Sequence, residues 1–247
     1  MNNKVITSKQ IFQYGDQKLE YTLVKSKRRK TSELMVDENQ IMLRIPSNKP
    51  LADAEKLINS KIKWIIKKQK EYKEEAPEIT RPTFREGFSL PYLGKNYETC
   101  IMNDRNNDGD KIEFQDKFVI ILGKTGSYNK QNRVRSLYED WLYDKARNIF
   151  DEKIKHYSGV VGVTPKKLIL KKLKNRWGSL AKNKTMNLNL NLIKAPEDVI
   201  DYIIIHELCH FKIKGHSHKF WRYIHRFVPD YQDKINWLAI NGSNMLE

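Results

Sequence analysis

The chain has 247 residues, enough for one large or two small domains with a hydrophobic core. Its 46 lysines and arginines outnumber 30 acidic residues, and the net charge of +16 favours polyanions or acidic proteins as partners. Two cysteines are too few for a disulfide-stabilised scaffold, and the N-terminus carries no apolar segment of a secretory signal. The longest aliphatic and aromatic run, 118–122, is far too short to cross a membrane. A soluble, cytoplasmic protein without a membrane partner is therefore predicted.

The N-terminal part alternates between apolar and polar residues over 10–46, which predicts a small antiparallel sheet with a hairpin turn at 37–40. Residues 51–72 then predict an amphipathic helix whose polar face is rich in lysine. Such a helix can lie on a membrane or on nucleic acid, but packing of its apolar face against the preceding sheet is favoured. The basic run 25–30 is either a solvated loop or a phosphate contact.

The middle of the chain opens with a charged, proline-containing segment at 74–82, which predicts a linker. Strand patterns follow over 84–122, and the loop 104–109 resembles the start of a calcium-binding EF-hand loop. Gln115 occupies the position where such a loop needs glutamate, and the flanks are strands, so a hairpin turn is predicted instead. Residues 129–157 predict a second long helix.

Residues 186–192 form the clearest strand pattern, with methionine and leucine on one face and asparagine on the other. Two positions are possible for this strand. At a sheet edge, its free backbone groups and Asn187 and Asn189 could bind an extended substrate peptide. In the interior of a sheet, the asparagine face would be solvated.

The stretch 203–221 contains His206, Glu207 and His210 on an apolar background that predicts a buried helix. Two histidines four residues apart lie on one helix face, so both can bind a single ion. Glu207 is one residue beyond the first histidine, where its carboxylate can contact a metal-bound water as a general base.

A catalytic zinc site needs a third protein ligand and an open position. A continuing helix would carry His216 about 240° round from His210, so the helix has to end before it. Gly215 can adopt a left-handed conformation there and turn the chain back. His216 is therefore favoured as the third ligand, with His218 as the alternative, and three imidazoles suit zinc, nickel, cobalt or iron. Cys209 is predicted to lie in the core.

Besides the histidine motif, several short segments along the chain, some of them in the N-terminal region, match one known family. They are Arg28-Arg29, 44–46, Trp64-Ile65, 92–94, 176–179, the asparagine/leucine strand, Pro196, 215–217 and Phe220-Trp221. Together they resemble the YgjP-like metallopeptidase family, which is related to SprT-type and Wss1-type proteases. Leu180 stands where that family often has cysteine, so a thiol role is not expected here. The resemblance implies a zincin-like core, with a sheet packed on the helix that binds zinc or another divalent ion.

An α+β fold of two domains is expected from these patterns. A β-rich region with one long basic helix would span 1–128, and the zincin-like metallopeptidase core would span 129–247.

Three functions compete. A metallopeptidase would act on a protein or peptide, using Glu207 to move the proton of the water and Arg176, Tyr223 or Tyr231 to stabilise the oxyanion. A bacterial rRNA-maturation endoribonuclease family spaces three histidines in the same way, but it lacks the glutamate beside the first histidine. The third function is a nucleic-acid-binding module with a structural metal, or a protease that acts on DNA-bound proteins. It would bind DNA or RNA through lysine patches at 25–30, 61–70 and 166–174, which otherwise serve only as solubilising charge.

Overall fold

The computed structural model describes residues 6–15, 17–36, 40–74, 78–82, 84, 87–104, 106, 108–124 and 129–246. The fold is mixed α and β, as predicted, and the chain divides into two compact units, Met1–Ala76 and Pro77–Glu247. This division lies within the predicted linker and differs from the predicted boundary at 128/129.

The first unit is a four-stranded sheet packed against one helix. The strands lie in the order β1-β2-β4-β3, and the β2–β4 pair is parallel, so the prediction of an antiparallel sheet was wrong for that pair. The apolar side of the helix shares one hydrophobic core with the sheet, which confirms the predicted packing. Residues 37–39 of the predicted hairpin turn lie outside the described residues. The elements are β1 (Ile6–Tyr14), β2 (Gln17–Ser26), β3 (Glu33–Val36), β4 (Ile41–Pro46) and α1 (Leu51–Glu74).

The second unit begins with a four-stranded sheet in the order β5-β6-β8-β7. Strand β8 lies between β6 and β7, so the hairpin predicted at 104–109 was wrong: the apolar sequence of β8 favours the centre of the sheet. Of that loop, residues 105 and 107 lie outside the described residues. The elements are β5 (Ser89–Tyr92), β6 (Lys95–Asn103), β7 (Lys111–Phe114), β8 (Phe118–Leu122) and the helix α2 (Lys130–Val161).

Aromatic packing joins this sheet to α2 and explains why the unit begins before residue 128. The ring of Trp141 lies 4.8 Å from Tyr92, 5.4 Å from Phe114 and 5.0 Å from Phe118. The contacts with Tyr92 and Phe118 are edge-to-face, and such pairs add to the free energy gained from burial. The strands of 89–122 therefore belong to the same core as α2.

A three-stranded sheet and four helical segments complete the second unit. Strand β11 is central, with β10 antiparallel on one side and β9 parallel on the other. The interior position of the asparagine/leucine strand is thus the one observed, but its asparagine face is buried rather than solvated. The elements are β9 (Lys167–Lys171), β10 (Gly178–Leu180), β11 (Thr185–Asn189), a 3-10 helix (Leu190–Lys194), α3 (Glu197–Cys209), α4 (His218–His225) and α5 (Tyr231–Met245). Among the described residues, no helix has the length and apolarity to span a bilayer.

Residues 78–82 of the predicted linker are docked on α5. The Ile79 amide donates to Asn241 Oδ1 at 3.0 Å, and Asn244 Nδ2 donates to the Ile79 carbonyl at 2.9 Å. Trp237 Nε1 donates to Glu78 Oε2 at 3.1 Å. The described part of this segment is therefore a fixed strap and not a free connection.

Lys194 is buried at the end of the 3-10 helix, and its Nζ donates to the carbonyl of Met245 at the end of α5. Burial lowers the pKa of Lys194 from 10.5 to about 8, and the charge of Lys172 acts in the same direction. The unfolded chain consequently holds more protons than the folded chain between pH 8 and 10.5. The free energy of unfolding should rise with pH across that window.

We expect Lys194→Met to remove this rise, which is on the order of 3 kcal/mol for the shift of the Lys194 pKa. Urea denaturation of both proteins at pH 7 and pH 10 measures the difference. Lys166→Met, at an exposed lysine, is the control and should keep the rise. Parallel stability curves for wild type and Lys194→Met would contradict the prediction.

Candidate metal centre

Helix α3 follows Pro196, and Glu197 and Asp198 lie in its first turn, where the helix dipole favours negative charge. Lys153 of α2 pairs with Glu197 at 3.0 Å and with Asp201 at 2.8 Å. The rest of the helix is mostly apolar and contacts α2, α4, α5 and β10. These contacts fix α3 in position, and its C-terminal end carries the predicted metal-binding motif.

The side chains of His206, His210 and His216 come together at that end. One ring nitrogen from each lies within 4.8 Å of the others, and His206 Nε2 is 2.9 Å from His216 Nε2. His218 lies in the first turn of α4, is exposed and stands outside this cluster. The structure therefore assembles the favoured set of three histidines and not the alternative.

The helix ends earlier than Gly215. Its last residue is Cys209, which is buried in the core as predicted, and His210 follows in a helical backbone conformation. The amides of Phe211 and Ile213 still donate to carbonyls of the last turn. Gly215 has the expected positive φ of 74°. The turn it makes lies in the loop that leads to His216, and not at the end of the helix.

Each histidine ring is held by a neighbour. His210 Nδ1 donates to the Ile213 carbonyl at 3.1 Å, and its ring stacks on Phe220 at 4.5 Å. The ring of His216 stacks on Trp221 at 5.6 Å. These contacts orient the two rings, as supporting residues do in metal sites.

Tyr202 was missed by the sequence reasoning. Its hydroxyl lies 3.4 Å from His206 Nδ1, and its side chain is buried. The available signal was its spacing, since a residue four positions before His206 lies on the same helix face. Tyr202 thus fixes the His206 ring from the side opposite the cluster.

Burial and the two neighbouring histidines lower the pKa of His206 to about 3, and burial lowers the pKa of His210. These imidazoles are consequently neutral at physiological pH, the form that binds a metal. Three imidazole nitrogens converging from a helix and a loop fit a divalent first-row transition metal.

Glu207 lies beside β10 and is only 5% exposed. A Cβ on Gly178 would stand 2.7 Å from Glu207 Cγ and Oε1, so the carboxyl occupies space that only glycine leaves. Burial raises the pKa of Glu207 to about 7, while the Leu180 amide and the Arg176 charge act in the opposite direction. Among the described residues, Glu207 Oε2 has no hydrogen-bond partner.

The other predicted substrate residues are spread over the unit. Asn189 is fully buried and donates to the carbonyls of Leu173 and Arg176, while Asn187 donates to Ser179. Both asparagines therefore hold the sheet and its preceding loop, so they offer little to a substrate. The side chain of Arg176 is exposed and near enough to act on Glu207.

The two predicted tyrosines differ in their ring contacts. Tyr231 stacks on Trp221 at 5.2 Å, and Trp221 in turn stacks on His216. Tyr223 instead packs on Phe227 and beneath the guanidinium of Arg226. The ring stack thus connects Tyr231, but not Tyr223, to the histidines.

Comparison with known proteins gives one family and one solved structure to report. A family described as "YgjP-like, metallopeptidase domain" matches residues 30–241. The crystal structure of the metallopeptidase zymogen abylysin of Pyrococcus abyssi is 25% identical, with a TM-score of 0.32. That similarity covers 35% of this chain and 90% of abylysin. No curated protein matches the chain.

His216 belongs to the cluster and His218 does not, and because both are exposed they provide a matched test of the ligand set. His216→Ala should weaken zinc binding by more than about 100-fold, because one of three ligands is lost. His218→Ala should leave it unchanged. Equilibrium dialysis followed by elemental analysis measures both, and equal losses in the two variants would refute the ligand assignment.

Proposed function

Because the chain belongs to the YgjP-like metallopeptidase family and is a metal-dependent peptidase, we propose that it is a zinc enzyme of zincin-like design. In this proposal His206, His210 and His216 bind the ion and Glu207 is the general base. The single observation that carries it is the convergence of three histidine nitrogens at the end of the helix that also holds Glu207.

The three imidazoles suit zinc, and nickel or another divalent transition metal would be held by the same set. When bound, such an ion supplies Lewis-acid polarisation of the scissile carbonyl and of the attacking water. The chain contributes ring orientation through Tyr202, the Ile213 carbonyl, Phe220 and Trp221.

Glu207 has the position and the surroundings of a proton carrier. Its side chain is confined by Gly178, while Oε2 has no hydrogen-bond partner among the described residues. Oε2 can therefore take a proton from water and return it to the nitrogen of the leaving amine. Arg176, whose charge acts on this carboxylate, is the candidate we assign to stabilise the oxyanion.

A peptide substrate would pair with β10 rather than with β11. Strand β10 is an edge strand of its three-stranded sheet, and Gly178 at its start contacts Glu207. An extended peptide added to that edge would form backbone hydrogen bonds next to the proposed base. The proposal thus assigns peptide binding to β10 and not to the asparagine/leucine strand β11, for which the sequence predicted it.

The family assignment also favours hydrolysis of peptide bonds over the alternative of endoribonuclease activity.

Glu207→Gln tests the base. The amide keeps the volume of the side chain but cannot accept the proton, so hydrolysis should fall by about 10²–10⁴-fold. Zinc content should remain that of the wild type. Cleavage of casein and of a random peptide mixture, with elemental analysis of the same samples, measures both quantities. Wild-type hydrolysis by Glu207→Gln would exclude Glu207 as the base.

Gly178→Ala tests the confinement of Glu207. The new methyl group would overlap Cγ and Oε1, and displacement of a catalytic group by about 1 Å can cost on the order of 100-fold in rate. We expect casein hydrolysis to fall by at least tenfold while zinc binding is retained. Gly159→Ala is the matched control, since a Cβ there meets nothing within 4 Å. Equal activity in the two variants would argue against the proposed placement of Glu207.

A further inference from the structure

The solvent face of α1 carries an unusual combination of side chains. From residue 56 to residue 70 the helix has six lysines and no acidic residue. Trp64 lies among them and is 44% exposed, although tryptophan is usually largely buried. The lysines are Lys56, Lys61, Lys63, Lys67, Lys68 and Lys70.

These residues share one side of the helix. At ~100° per residue the six lysines and Trp64 fall within an arc of about 180°, with Trp64 inside it. The buried residues Ala54, Ile58, Ile62 and Ile65 lie on the opposite side and pack in the core of the first unit. The lysines extend over about 21 Å at ~1.5 Å per residue. The face is therefore a long basic surface with one aromatic platform.

The side chains of this face of α1 distinguish between a lipid bilayer and a nucleic acid as its anionic partner. A basic amphipathic helix binds a bilayer through its apolar face, but in α1 that face is already buried against the sheet. Between residues 56 and 70, Trp64 is the one exposed apolar side chain, which is too little to anchor this face in lipid. Lysines that follow a phosphate backbone, next to an indole on which a base can stack, are the features of single-strand recognition.

We propose that this face of α1 binds single-stranded nucleic acid, with the lysines on phosphates and Trp64 stacked on a base. A duplex fits less well, because its bases are already stacked and offer the indole no free face. The basic run 25–30 is a weaker candidate, because it contains no aromatic side chain on which a base could stack. The proposal does not rest on the metal site.

The first test is the salt dependence of binding by the full chain. The probe is a labelled oligouridylate or oligothymidylate of about 12 nucleotides. Each phosphate neutralised by a lysine should contribute about −0.7 to the slope of log K against log salt. Replacing Lys56, Lys61 and Lys63 by glutamine should therefore reduce the slope by about 2 and weaken binding.

The matched control replaces three exposed lysines of the second unit by glutamine, with the same change in net charge. They are Lys166, Lys167 and Lys171. This variant should keep the wild-type slope. Equal losses in the two triple variants would show that net charge alone is responsible and would overturn the assignment to α1.

The second test distinguishes stacking from apolar insertion. Trp64→Leu keeps apolar surface but loses the aromatic face, so it should weaken oligonucleotide binding by about tenfold. Trp64→Tyr should retain most of the affinity. Thermal unfolding checks that both variants are folded, as expected for a half-exposed position.

Two further probes test binding of a duplex and binding of a lipid surface as alternatives to the proposal. A duplex of the same length should bind more weakly than the single strand, and vesicles of phosphatidylglycerol should not bind in a Trp64-dependent way. Tighter binding of the duplex, or vesicle binding that survives in Trp64→Leu while the oligonucleotide does not bind, would refute single-strand recognition.

Discussion

The contact between α3 and β10 at Gly178 is the constraint on which the site depends. The two elements approach so closely that a single methyl group would overlap the Glu207 side chain. Asn189 maintains this approach from the neighbouring strand: its side-chain amide holds the carbonyls of Leu173 and Arg176, and its backbone amide donates to the Trp177 carbonyl. A buried asparagine in β11 thus determines where the glycine of β10 lies. The asparagine face is a scaffold for the site, although alternation alone made it look like a surface.

A second support reaches the same site from α4. Two consecutive residues of that short helix, Phe220 and Trp221, each stack on a different histidine, His210 and His216. Consecutive helical residues point about 100° apart, so one turn of helix can orient two rings that come from different segments. The loop through Gly215 needs only to bring His216 within reach of Trp221. Ring orientation is in this way set by packing.

The sequence predicted those features that depend on local spacing, and it failed where distant segments decide. The histidine pair follows from a four-residue interval, and the apolar stripe of α1 correctly predicted its packing on the sheet. By contrast, β8 enters between β6 and β7, and β2 pairs in parallel with β4. Alternation within a strand says nothing about which neighbour it takes. The early start of the second unit likewise depends on Trp141 packing against residues far away in sequence.

Two buried ionisable groups in the second unit show how a structural role differs from a functional one. Lys194 donates to the Met245 carbonyl, so its burial joins the 3-10 helix to the end of α5. Glu207 is buried to a similar degree, yet among the described residues its Oε2 has no partner. Leaving a buried polar atom unsatisfied costs about 1–3 kcal/mol, so stability does not explain this carboxylate. Violations of the local rules of folding are expected at functional sites. The unpartnered oxygen, on the helix at whose end the three histidines converge, therefore supports the proposed role of Glu207 independently of the sequence motif.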